Sequence, residues 1–171
     1  VGVVHKLLGD LATCPPLVEE AHDVDWLAGA SMLIRREVFE RVGLFDEDFF
    51  LYFEELDFTR RAASIGLRTR YIPDSKVVHL VGQSTGVTAR HVRPGRTPAY
   101  WFESRNRYFR KHHSPAYKLA ADAAFMLGRS IHHCLRILRG RPNEDPPRYL
   151  WDFFRHTWFS PRSAALPASK H

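Results

Sequence analysis

The chain has 171 residues, 44% hydrophobic and 26% charged, which suffices for one domain with a real core. Its two cysteines, Cys14 and Cys134, lie far apart and in no ligand spacing, which excludes a disulfide scaffold or zinc knuckle and fits a reducing compartment. The net charge of +6 divides unevenly: residues 1–90 carry −4 and residues 91–171 carry +10.

Residues 1–22 read as loop, with Thr13-Cys14-Pro15-Pro16 as a breaker. No basic start with a long apolar run marks a signal peptide, and no window of about 18 uncharged apolar residues marks a membrane span. The opening Val1 is consistent with a fragment or a processed piece. Residues 24–35 predict a buried strand with an Ala28-Gly29-Ala30 centre. Small residues there suit either a close ligand or tight packing. Arg36 to Val42 predicts a short helix capped by Gly43.

The segment from Phe45 to Phe53 sets Asp46, Glu47 and Asp48 among aromatics and runs into Glu54-Glu55. Carboxylates beside large aromatics are partly desolvated, which raises their pKa toward general-base use. The plain alternative is an acidic first turn that complements the helix dipole. A helix follows over Glu54–Ser64, ending at Gly66, with Asp57 and Arg61 at i, i+4 and Phe58 and Ala62 on one face. Arg68–Leu80 predicts a strand interrupted at Pro73-Asp74-Ser75. The loop Gly82–Gly86 has the composition of a lid, or of any polar loop.

Residues 98–139 predict helix, broken near Ser114-Pro115. The last part places Ile131, Cys134, Leu135 and Leu138 on one stripe, with Arg129, His132, His133, Arg136 and Arg139 mostly off it. Such a basic amphipathic helix suits an anionic membrane surface, and equally a helix packed on the core. After the Pro142–Pro147 linker, Arg148–Trp158 predicts a short aromatic helix, followed by a tail read as disordered. The run Arg105–His113 interleaves Arg with aromatics, a pattern that holds single-stranded nucleic acid, but no nucleic-acid fold signature accompanies it.

Taken in order, Trp26–Arg36, Val42–Phe50, Glu54-Glu55-Leu56-Asp57 with Arg61, and His79 resemble the C-terminal half of family-2 glycosyltransferases, in the rhamnosyltransferase-like and galactofuranosyltransferase-like branch. The resemblance covers about residues 24–112. It implies an α/β chain with a partial GT-A fold, its mixed sheet followed by C-terminal helices. Residues 1–96 would form the acceptor-side half, 97–160 a basic helical region and 161–171 the tail.

The implied reaction is inverting transfer of a sugar from a nucleotide-sugar donor to a hydroxyl of a glycan or lipid-linked acceptor, as in polysaccharide and cell-wall biosynthesis. By resemblance, Glu55 is the general base and Glu54 orients the acceptor. Gly29, Ala30, Asp46 and Glu47 line the substrate site, and His79 ligates a divalent Mg²⁺ or Mn²⁺. Glu55 stands where many relatives have Asp, one methylene shorter. Asp57 and Arg61 are expected to support the helix. The family's upstream Asp-x-Asp motif is absent: Asp23-Val24-Asp25 and Asp46-Glu47-Asp48 match in letters but not in position. The chain is therefore expected to be a half-enzyme, inactive alone, cytoplasmic, and peripheral at the membrane. The alternative is a basic nucleic-acid- or membrane-binding module without catalysis.

Overall fold

The computed structural model describes residues 18–78, 95–142 and 145–159. Their architecture is α/β, a two-stranded sheet with five helices. Strand β1 (His22–Val24) pairs antiparallel with β2 (Thr69–Tyr71), with Asp23 opposite Arg70. Arg68 and Arg70 both reach Asp23, at 3.0 and 3.4 Å, so opposite charges reinforce the register.

The strand expected over 24–35 is corrected by the structure. The ladder ends at Val24 because its partner ends at Thr69, and Trp26–Arg35 is loop with a turn at Gly29-Ala30. An apolar run of this length gains a strand's hydrogen bonds only beside a neighbour, and Leu33 lies fully exposed. The second predicted strand is likewise shortened to Thr69–Tyr71, closed by a turn in which Ser75 N–H donates to the Ile72 carbonyl at 3.2 Å. His79, Leu80 and the Gly82–Gly86 loop lie outside the described residues, as do Thr13–Pro16, Cys14 among them, and the tail from Ser160.

The helices match their local signals. Helix α1 (Arg36–Val42) stops at Gly43, whose φ of 86° and ψ of −179° fall in a region open essentially to glycine alone. Helix α2 (Glu54–Ser64) buries Asp57, Phe58, Thr59 and Ala62 on one side. Arg61 crosses back from α2 and donates to the carbonyls of Val42 and Leu44 at 2.8 and 2.9 Å, satisfying acceptors at the end of α1. Phe58 stacks on Phe45 and meets Phe39, closing a small aromatic core beneath both helices.

Helix α3 (Ala99–His112) and helix α4 (Pro115–Leu138) are separated at Ser114, whose hydroxyl accepts from the Tyr117 N–H at 3.2 Å while Pro115 opens α4. Helix α5 (Tyr149–Trp158) returns along α4 and packs on α3. A second aromatic core forms there: Phe125 stacks on Phe153, and Phe102 packs against Phe153, Tyr149 and His156.

Three aspartates are completely buried, and each joins separate parts of the chain. Asp57 of α2 meets Lys111 and His112 of α3, Asp122 of α4 meets Arg105 of α3, and Asp152 of α5 takes a two-pronged contact from Arg96. Buried carboxylates survive only when paired in this way. The region expected to begin at residue 97 thus starts with a helix locked onto the acidic segment.

Candidate active site

Glu54 and Glu55 open α2. No side chain caps this helix; the chain enters it through Tyr52 and Phe53, both left-handed at φ 68° and 70°. Two successive non-glycine residues in that region store strain, which persists only where surrounding packing holds it. Here the hold is aromatic. Tyr52 stacks on Tyr100, and Phe53 packs against Trp101 and Tyr108 of α3. From the α3 side, the Ser104 hydroxyl donates to the Leu51 carbonyl at 2.9 Å. The sharp turn aims the first turn of α2 in a direction that an ordinary helix entry would not give.

Both glutamates carry one buried carboxylate oxygen, Oε2, without a hydrogen-bond partner among the described residues. For Glu55, burial pushes the pKa above the ordinary glutamate range. The N–H groups of Glu55 and Gly29 oppose the rise, and the neighbouring charge of Glu54 adds to it. This is the environment of a carboxylate able to accept a proton near neutral pH.

Gly29, in the loop that precedes α1, is brought directly to this pair. A Cβ at Gly29 would stand 3.9 Å from the Glu55 Cβ, ordinary contact distance. The Gly29-Ala30 turn therefore lies beside Glu55, with Ala30 exposed.

Asp46, expected at the substrate site, is paired within the chain. Lys111 holds it at 2.7 Å and Arg107 at 3.0 Å. Burial would raise its pKa, but the hydrogen bonds from Lys111, Arg107 and the Asp48 N–H outweigh burial and hold it below the usual range. Asp46 thus fastens the acidic segment to α3, and Glu47 beside it is exposed. Asp57 behaves likewise: burial is outweighed by Lys111, His112 and Arg61, and its pKa is lowered. The pairing expected between Asp57 and Arg61 is present at 2.8 Å. Lys111 and His112 are the additional partners, and nothing in the local sequence pattern marks them.

Among the described residues no three His, Cys, Asp or Glu side chains converge on a point that a metal could occupy. Asp23, Asp46 and Asp48 of the two Asp-x-Asp lookalikes are engaged by arginine or lysine. The described residues do not fit a metal centre, and His79, the expected ligand, lies outside them.

The basic run on α3 is also largely consumed inside the chain. Arg105 is buried against Asp122, Arg107 and Lys111 hold Asp46, and His112 holds Asp57. Little of it remains as an open phosphate-binding surface.

Residues 13–114, more than half of the chain, match the family model described as glycosyltransferase like family 2. The chain belongs to this family. Among curated relatives, N-acetylglucosaminyl-diphospho-decaprenol L-rhamnosyltransferase of Mycobacterium tuberculosis is 41% identical over 63 residues, covering 37% of this chain and 20% of that protein. Rhamnosyltransferase WbbL of Escherichia coli is 41% identical over 56 residues, covering 33% of this chain and 21% of its own length. dTDP-rhamnosyl transferase RfbF of Shigella flexneri is 29% identical over 98 residues, covering 56% of this chain and 33% of its own length. The chain thus spans about a fifth to a third of the curated relatives it matches. No solved structure matches. A rhamnosyltransferase-like member of family 2 is therefore the frame in which the glutamate pair is read.

Proposed function

We propose that this chain supplies the acceptor side of a GT-A, inverting glycosyltransferase. The enzyme would move a sugar, of the rhamnose type, from a nucleotide-sugar to a hydroxyl of a glycan or lipid-linked acceptor. Glu55 is the general base. The observation that carries this reading is its half-buried carboxylate, raised in pKa, with one buried oxygen unpartnered among the described residues, beside the Gly29 turn.

An acceptor hydroxyl is far too weak an acid to ionise at neutral pH. Its oxygen attacks the anomeric carbon while its proton passes to the Glu55 carboxylate. The bond from that carbon to the diphosphate oxygen breaks, and the nucleoside diphosphate leaves with the electron pair. A carboxylate of raised pKa gives the proton transfer a stronger driving force. Glu54, also with one unpartnered oxygen, accepts from an acceptor hydroxyl and orients it. The Tyr52–Tyr100 pair, stacked at 6.2 Å, offers ring faces to the C–H groups of a sugar. The divalent metal implied by the family has no site among the described residues, so no step here depends on it. The relatives' names, which specify rhamnosyl transfer and in one case a decaprenol-linked acceptor, support the substrate class.

The test is Glu55→Gln in the full-length protein. Turnover falls by about a hundredfold or more, the scale of general-base catalysis, while donor affinity stays near wild type. In the wild type, kcat/KM declines on the acid side with a midpoint above the ordinary glutamate value of 4.5, because the base must be ionised to act. Near-normal turnover of the Gln variant would remove Glu55 from the mechanism.

A further inference from the structure

Helix α4 is built inside out. Its four charged residues, Lys118, Asp122, Arg129 and Arg136, fall on one stripe, and that stripe faces the protein. Lys118 and Arg105 close on Asp122 at 2.6 and 2.5 Å. Arg129 pairs with Asp145 and lies over the Tyr149 ring, and Arg136 donates to the Pro142 carbonyl at 2.8 Å. The only residue of α4 that is fully buried is Asp122.

The opposite face is apolar and open. Leu119, Leu127, Ile131, Leu135 and Leu138 are all exposed, Leu127 at 62% and Leu138 at 82%. Alanines 120, 123 and 124 fill the stripe between them, and no Asp, Glu, Lys or Arg interrupts it. Helices of soluble domains show the reverse arrangement. Arg129 and Arg136, expected to reach an anionic surface, are therefore turned inward, and the stripe expected either to meet the core or to lie on lipid is turned outward.

Helix α5 extends the same surface. Trp151, Trp158 and Phe159 are exposed, joined through Phe154 in ring contacts of 5.4 to 6.4 Å. Trp158 and Leu119 line one pocket, so the aromatic end of α5 adjoins the start of the α4 stripe. Arg110 and Lys118 line the same pocket, and Arg139, Arg141, Arg148 and Arg155 are exposed nearby in sequence.

We propose that the outer faces of α4 and α5 form a docking surface for an anionic lipid bilayer, lying in the plane of its interface. Three observations select lipid over a protein partner. The surface joins an acid-free apolar stripe to exposed tryptophans, the residues that settle at headgroup level. The exposed Arg139, Arg141, Arg148 and Arg155 beside it repel a second copy and attract anionic headgroups. The family match ends at residue 114, the N-cap of α4, so this face is not part of the region shared by the family. No helix among the described residues is long and apolar enough to cross a membrane, which leaves α4 lying on one. The inference stands apart from glycosyl transfer and does not depend on the role of Glu55.

The test is flotation of the purified chain with phosphatidylcholine–phosphatidylglycerol vesicles and with pure phosphatidylcholine vesicles. The wild type floats with the mixed vesicles and more weakly with the neutral ones. Leu127→Glu combined with Ile131→Glu lowers partitioning by about a hundredfold, roughly tenfold for each apolar side chain withdrawn from lipid. Both side chains are exposed, so the thermal unfolding of the variant stays at the wild-type value. Independently of that variant, brominated lipids quench the wild-type tryptophan fluorescence, and Trp151→Phe with Trp158→Phe removes most of the quenching. Absence of flotation on both vesicle types overturns the proposal, as does equal flotation of the double variant. Concentration-dependent dimerisation that the double variant abolishes, without vesicle binding by the wild type, assigns the face to a second copy and also overturns it.

Discussion

Replacing Asp57 by alanine removes the carboxylate that joins α2 to α3. The side chain is fully buried and lies 2.8 Å from Arg61, 2.8 Å from Lys111 and 2.7 Å from His112. Deleting one partner of a buried ionic cluster costs about 3–5 kcal/mol, mostly because the remaining charges lose their counterion. Here the three partner side chains keep partial access to water, between 12% and 32%, and Lys111 retains Asp46. The lower end, about 3 kcal/mol, is therefore expected. For a chain of this size that shifts the unfolding midpoint by about 6–12 °C.

The pH dependence gives a sharper test. The folded-state pKa of Asp57 is depressed, so its stabilisation is fully present above the unfolded value and is lost as pH falls through the folded one. Wild type and Asp57→Ala should differ fully at pH 7 and converge only at pH values below the ordinary aspartate value of 3.8. Thermal melts by circular dichroism across that range provide the measurement. A loss under about 1 kcal/mol, the same at every pH, would mean that the cluster behaves like a surface pair and does not hold the helices together. Because Asp57 lies in the same helical turn as Glu55, the variant should also lower kcat in the full-length enzyme more than it changes KM.

Gly43→Ala places a Cβ on a backbone at φ 86° and ψ −179°, and should cost about 1–3 kcal/mol in chemical denaturation. An unchanged midpoint would show that the end of α1 adjusts freely. Arg96→Ala leaves Asp152, 1% exposed, without its two-pronged partner, and should destabilise the α3–α5 packing by about 3 kcal/mol at pH 7. Arg96→Lys should recover only part of that loss, since lysine cannot reproduce two parallel contacts. Equal stability of the Lys variant and wild type would reduce Arg96 to a simple point charge.

Local chemistry was enough to write most helix boundaries in the sequence. Gly43 ends α1, the Ser114-Pro115 pair separates α3 from α4, and the spacing of Asp57, Phe58, Arg61 and Ala62 describes α2 and its inward face. The order of short motifs around Glu54-Glu55 carried the family. These signals act within a turn or two of the chain, so no distant partner is needed to read them.

Everything that depends on a distant partner was decided by the tertiary structure. The run 24–35 resembled a strand in composition, but only His22–Val24 has a neighbour to bond with. Tyr52 and Phe53 carry no residue-type signal for a left-handed backbone; rings from α3 hold them there. The partners of Asp46, Arg107 and Lys111, lie more than 60 residues away in the chain, and only the fold brings them to it. The period of α4 was visible, but not which face turns outward. That orientation follows from Arg105 and Asp145, whose opposite charges draw Asp122 and Arg129 inward and leave the leucines facing out.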